Sequence, residues 1–303
     1  MGSENSKPEV SNTVKNIATI ISDSPDFRDR YYENQSEEIE NKKNIIDLRF
    51  NVDTAPVYDC EENGTSAACS LASLIYSELT KLNKSLIPSR CFIHYNSVCN
   101  YNTSEYIENP YISIRDSLKS INKFGIVSEK DYPYTKINLT KKPDENTYKN
   151  AHKIKLEYIR VPININFIKN ILCEKKMIVC NFSIYSSFLD TSVRNTGRIT
   201  MPEYYDKFVG MLSAVIVGYI FDKDLIIIKM CFGELWGDHG YGYITKEYLE
   251  KLGNDLWIVN IHSTSGKSTN WYQRSENKSL KNESIVDEDD NNQRGIMTRS
   301  AVI

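Results

Sequence analysis

Along residues 45–262 the apolar positions change their period about half-way. In the first half they recur every three or four residues, the spacing that lines one face of a helix. Leu71, Leu74, Ile75, Leu79 and Leu82 do so over Cys69–Leu82, and Ile114, Leu118, Ile121 and Phe124 over Ser113–Phe124. Gly125 follows the second run as a helix stop. Two shorter helices are expected over Ser89–Val98, behind Pro88, and over Asn166–Glu174, where Phe167, Ile168, Ile171 and Leu172 gather on one face. In the second half the runs are short, β-branched and aromatic. Met177–Ile184, Ser213–Ile220, Leu225–Met230, Tyr241–Ile244 and Leu256–His262 predict strands. Helices first and strands afterwards imply an α+β architecture of two lobes, helical over about 45–160 and strand-rich over about 161–262. A ligand cleft belongs between such lobes.

The flanks are polar. Residues 1–44 read as a partly flexible leader with one docking patch, FRDRYY, around Phe27. Residues 263–303, with the acidic run Asp287–Asp290, carry too little apolar surface to order themselves and predict a disordered tail. Hydrophobic residues make up 40% and charged residues 25%, the balance of a globular chain with a sizeable core. A net charge of −3 with scattered basic residues argues against nucleic acid as a partner. No apolar run approaches the roughly 20 residues of a bilayer helix, so no transmembrane segment is expected. No secretion signal opens the chain; Met1–Gly2 with Ser6 matches only the loose N-myristoylation pattern. Seven cysteines without a CxxC pair read as free thiols in a reducing compartment. No two of His94, His152, His239 and His262 have metal-ligand spacing, so neither a metal nor a cofactor is expected.

One stretch carries candidate chemistry. A catalytic thiol needs a helix N-terminus and a cationic imidazole to lower its pKa, a group orienting that imidazole, and donors for the oxyanion. The run NGTSAACSLASLIYSEL places Cys69 at the opening of an amphipathic helix, with Asn63–Gly64 six residues upstream. This resembles the QGxxxxC segment of papain-like cysteine peptidases, Asn63 standing for the oxyanion Gln. PVYD (Pro56–Asp59) and IDLR (Ile46–Arg49) are also similar to the family, with Cys60–Glu61–Glu62 as an insertion between PVYD and the Asn–Gly pair. PSRCFIHYN (88–96), SIRDSLKSINKFGIVSEKDYPY (113–134), FSIYSSF (182–188), TGRITMP (196–202), VIVGY (215–219) and GELWGDHGYGYI (233–244) resemble, in order, segments of its viral and microbial branch. The resemblance implies a helical N-terminal lobe and a β-barrel-like C-terminal lobe.

The family's catalytic pattern is broken. Its His stands six residues before the Gly of the VGY strand, where this chain has Leu212. Its orienting Asn precedes Ser-Trp-Gly, where this chain has Met230 before Cys231 and Phe232. Ala67–Ala68 stand for the Gly-Ser before the nucleophile. Leucine cannot carry a proton, and an apolar neighbour is expected to raise the Cys69 thiol. None of the four histidines is expected to face Cys69; His94 is expected on the surface or hydrogen-bonded. The expectation is a pseudo-peptidase with a binding or structural role, its cleft free to take a peptide or a partner's loop. The alternatives are an active peptidase using Cys69 with an unrecognised base, and a component of a virus particle.

Overall fold

The structure is a computed structural model that describes residues 19–33, 45–51, 53–61, 63–101 and 112–262. The expected tail (263–303), Met1–Gly2 with Ser6, and leader residues 34–44 lie outside the described residues.

In chain order the elements are β1 (Ile45–Asp47), α1 (Ser66–Lys81), α2 (Arg90–Tyr101), α3 (Ile114–Phe124), α4 (Lys136–Thr140), α5 (Glu145–Asn150), β2 (Lys155–Val161) and α6 (Ile165–Cys173). They continue with β3 (Ile178–Tyr185), α7 (Thr191–Thr196), β4 (Phe208–Ile220), β5 (Leu225–Lys229), β6 (Tyr241–Thr245), α8 (Lys246–Leu252) and β7 (Gly253–His262). The strands form one antiparallel sheet in the order β2-β7-β3-β4-β5-β6, with β1 on β4. This is an α+β fold of the expected two-lobed kind. The expected lobe boundary near residue 160 falls inside β2, and both β1 and β2 join the sheet from the helical half of the chain.

The helices start where their caps dictate. The Ser113 hydroxyl accepts from the Asp116 amide at α3, and the Asn164 side chain accepts from the Asn166 amide at α6, each occupying an amide that the helix leaves unpaired. Gly125 ends α3 at φ +85°, and a Cβ there would meet the His152 carbonyl oxygen at 2.6 Å. α1 is buried on almost every face: Leu71, Leu74 and Ile75 are enclosed and join the sheet's apolar side in one core with Phe182, Leu212, Ile216 and Trp257. Small residues, four serines among them, let α1 be buried on nearly every side, and that burial carries its start into the middle of the molecule.

The leader is docked over residues 19–33. Ile20 bridges Ile112 and Tyr31 bridges Arg160, both parallel. Phe27, centre of the expected docking patch, is 98% exposed. The anchors are acids instead. Asp23 accepts from the Trp257 indole at 2.8 Å and the Arg115 amide at 3.0 Å. Asp29 pairs with Arg115 at 2.5 Å and Arg160 at 3.3 Å.

Candidate functional site

The sequence reading puts Cys69 at the head of the long helix, but α1 opens three residues earlier. Thr65 precedes it, Ser66 is its first residue, and the Cys69 amide already bonds back to the Thr65 carbonyl at 3.0 Å. Cys69 therefore sits inside the first closed turn. Ser66 is 1% exposed, and its hydroxyl accepts from the Ser213 amide at 3.2 Å. The residue in contact with the strand β4, beside Leu212, is thus Ser66. This geometry fits a chain without the three-residue insertion. Six residues before Ser66 is Cys60, and the two residues before Ser66 are Gly64–Thr65, closer to Gly-Ser than Ala67–Ala68. The expected helix-opening role of Cys69 is corrected accordingly.

Asn63 reaches the helix head only through Tyr134, whose hydroxyl lies 2.7 Å from that of Thr65. Its amide reaches Glu61 at 3.4 Å and the Tyr134 hydroxyl at 3.5 Å. Leu212 is fully enclosed and faces Phe182 across the β3–β4 ladder. Met230 follows β5, buried, its amide on the Gly240 carbonyl at 2.9 Å.

Cys69 packs in the apolar core, 1% exposed, with Thr65, Cys231 and Arg90 as polar neighbours. Burial pushes its thiol up, but hydrogen bonds with Cys231, Thr65 and Arg90 and the Arg90 charge outweigh this and bring it below the ordinary thiol value. The expectation of a raised thiol is overturned, because the reading lacked Arg90. That guanidinium lies between the rings of Tyr58 (4.6 Å) and Tyr134 (4.1 Å) and is held by Glu129 at 3.0 Å. Cys231 donates to the Cys60 sulfur at 3.4 Å, and its own thiol is pushed well above the ordinary range, first by that bond and then by its bond to Cys69. Cys60 and Cys231 are the residues the sequence reading missed as a pair. Each was visible singly, Cys60 in the assumed insertion and Cys231 in place of the family Ser.

Among the described residues no histidine ring hydrogen-bonds to Ser66 or Cys69. His94 is enclosed on α2 with Nδ1 unpartnered, contrary to the expected surface or satisfied ring, and burial lowers its pKa to about 4. His262 pairs with Glu157 at 3.3 Å. His152 is exposed and bridges Ile126 through its backbone, and His239 sits at φ 53° in the turn before β6. Among the described residues no group of His, Cys, Asp and Glu is arranged to hold a metal ion, and no helix is long and apolar enough to cross a membrane.

A buried polar chain leaves the helix head in the other direction. From Ser66 it runs through Ser213 and Asn181 to Asp255, which accepts from the Asp23 amide at 2.9 Å and pairs with Arg160 at 2.8 Å. The leader also crosses the head itself. The Thr19 hydroxyl donates to the Gly64 carbonyl, and Ile20 packs with Ala67, Ile112 and the flank of Met211.

Residues 113–256 match the papain family cysteine protease pattern, a span that holds Leu212 and Met230 but begins after α1. An uncharacterised peptidase C1-like protein of Acanthamoeba polyphaga mimivirus is 29% identical over 231 residues, 71% of this chain and 74% of that protein. Xylellain, a cysteine protease from Xylella fastidiosa, superposes with a TM-score of 0.73 at 29% identity, covering 81% of this chain and 96% of that one. A digestive procathepsin L proteinase from Tenebrio molitor larval midgut shares the fold with a TM-score of 0.64 at 18% identity, over 84% of this chain and 81% of that one. By sequence pattern, by relative and by fold, the chain is similar to the papain-like cysteine peptidases.

Proposed function

We propose that the chain is a catalytically silent member of this fold with a binding or structural role. Ser66 takes the nucleophile position, Cys60 the oxyanion position, Leu212 that of the base and Met230 that of the orienting amide. The observation that carries this reading is the 3.2 Å bond from the Ser213 amide to the Ser66 hydroxyl. It sets the head of α1 against the strand position next to Leu212, where a base would be needed. A serine hydroxyl without a base is a poor nucleophile, and loss of one triad member costs about 10⁴-fold or more in turnover. The leader residues lying over Gly64 and Ala67 add a steric obstacle, so a partner peptide binds beside this segment or displaces it. Fluorogenic peptide substrates at about pH 5 to 8 test the reading. No turnover above a blank is expected. Turnover abolished by Ser66→Ala or Cys69→Ala would refute it.

A second reading, an active peptidase built on Cys69, draws on the lowered thiol beside Arg90. A guanidinium stabilises a thiolate but takes no proton from it, so this reading still lacks a base. Rapid labelling of Cys69 alone by a thiol-directed epoxide, with a pH midpoint below that of the other cysteines, would favour it. Labelling no faster than that of the other buried cysteines favours the silent site.

A further inference from the structure

We infer that Cys60 and Cys231 are a redox-linkable pair whose disulfide ties the loop in front of α1 to the chain leaving β5. This goes beyond the silent-site reading and holds whether or not that reading survives. The backbones are already in place. The Cys60 amide donates to the Cys231 carbonyl at 2.8 Å, the Gly233 amide to the Tyr58 carbonyl at 3.0 Å, and Asp59 bridges Phe232 in antiparallel register. Cys60 and Cys231 are therefore opposed residues of a two-strand contact. Opposed residues of a hydrogen-bonded antiparallel pair have Cα atoms about 5.5 Å apart, inside the span of roughly 4.4–6.8 Å that a disulfide accepts. The sulfurs are 3.4 Å apart, and both side chains are nearly enclosed, at 2% and 3% exposure. A small oxidant is required, and hydrogen peroxide is the class proposed.

The chemistry balances with one peroxide. One thiolate attacks the O–O bond and becomes a sulfenic acid, while the other oxygen leaves as hydroxide and is protonated to water. The second sulfur then attacks the sulfenic sulfur. Its proton and the departing hydroxide form a second water, and the S–S bond closes. Two thiols give up two electrons and the peroxide takes them. Cys69, hydrogen-bonded to Cys231, is the competing thiol. It lies on the helix rather than on the opposed strands, so the link is assigned to Cys60.

The test uses the full chain. Treat it with hydrogen peroxide, block the remaining thiols with iodoacetamide, digest without reductant and read the peptides by mass spectrometry. A linked peptide pair containing Cys60 and Cys231, lighter than the reduced pair by two hydrogens, is expected. Because the two cysteines lie 171 positions apart, the closed loop is long. The thermal midpoint should rise by about 5 °C or more on oxidation and return with dithiothreitol. Cys60→Ser should lose the rise, and Cys91→Ser should keep it. Absence of the linked pair in the unsubstituted protein, oxidation of Cys231 to sulfonic acid without a link, or a Cys69–Cys231 link as the main product would each overturn the inference.

Discussion

His94 is enclosed on α2 with one ring nitrogen unpartnered, and burial lowers its pKa to about 4. The unfolded chain binds its proton near pH 6.5, so between about pH 6.5 and 4 the unfolded state holds more protons than the folded one. Stability is then full above pH 6.5 and declines as the pH falls. The loss from this residue approaches about 3 kcal/mol at pH 4. Urea titrations from pH 7 down to pH 4 should show a shallower decline for His94→Leu than for the unsubstituted chain; parallel curves would dismiss the assignment. Lys229 acts in the opposite pH range. Its ammonium donates to the Ala55 carbonyl over the Tyr58 ring, and burial brings its pKa down to about 7. From about pH 7 to 9 the unfolded lysine keeps a proton that the folded one sheds, so stability rises with pH by about 2 kcal/mol. Lys229→Met should remove that slope in the same titration.

Among the elements, the docked leader is held by charge. Asp29 and Arg115 are nearly enclosed, with side chains 3% and 6% exposed. Asp29→Ala leaves Arg115 buried without its partner, and about 3 kcal/mol of stability should be lost in chemical denaturation. A change under about 0.5 kcal/mol would show that the segment contributes little. None of this was legible beforehand, because Asp23 and Asp29 occupy no periodic pattern and their partners lie 86 to 234 positions away. The helices with a clean apolar stripe, α3 and α6, were readable to within a residue or two. The strand β2 was not: KLEYIRV alternates weakly and is half-exposed at the end of the sheet. The short helices α4, α5, α7 and α8 have five to seven residues and depend on local capping more than on an apolar face. The start of α1 was misread by three residues because the nearest thiol drew the alignment. No capping bond marks the start: the Thr65 hydroxyl turns to Tyr134 at 2.7 Å instead of a helix amide.

For the molecule as a whole, the two-lobed fold was readable because its family-like segments occur in order along some 200 residues. For the site, the sequence named Leu212 and Met230, while the contact of the helix head with the strand next to Leu212, through Ser66, came from the geometry. A rebuilt site tests that partnership. Ser66→Cys together with Leu212→His and Met230→Asn should react with a thiol-directed epoxide at the new sulfur faster than Ser66→Cys alone, since an imidazole there would hold the thiolate. Equal rates would mean that position 212 does not address position 66. Peptide turnover should remain weak even then, because Thr19 and Ile20 lie against Gly64 and Ala67 at the helix head.

Trp257 meets three of the charged groups that hold the leader down. It is fully enclosed, donates its indole hydrogen to Asp23, and has the guanidinium groups of Arg115 and Arg160 over its ring at 5.6 and 5.5 Å. Detachment of the leader would strip away that indole bond and let water reach the ring, shifting its emission to longer wavelength. The protein thus carries an optical gauge of whether residues 19–33 cover the head of α1, read as the part of the emission shift that is lost in Trp257→Phe while Trp236 and Trp271 remain.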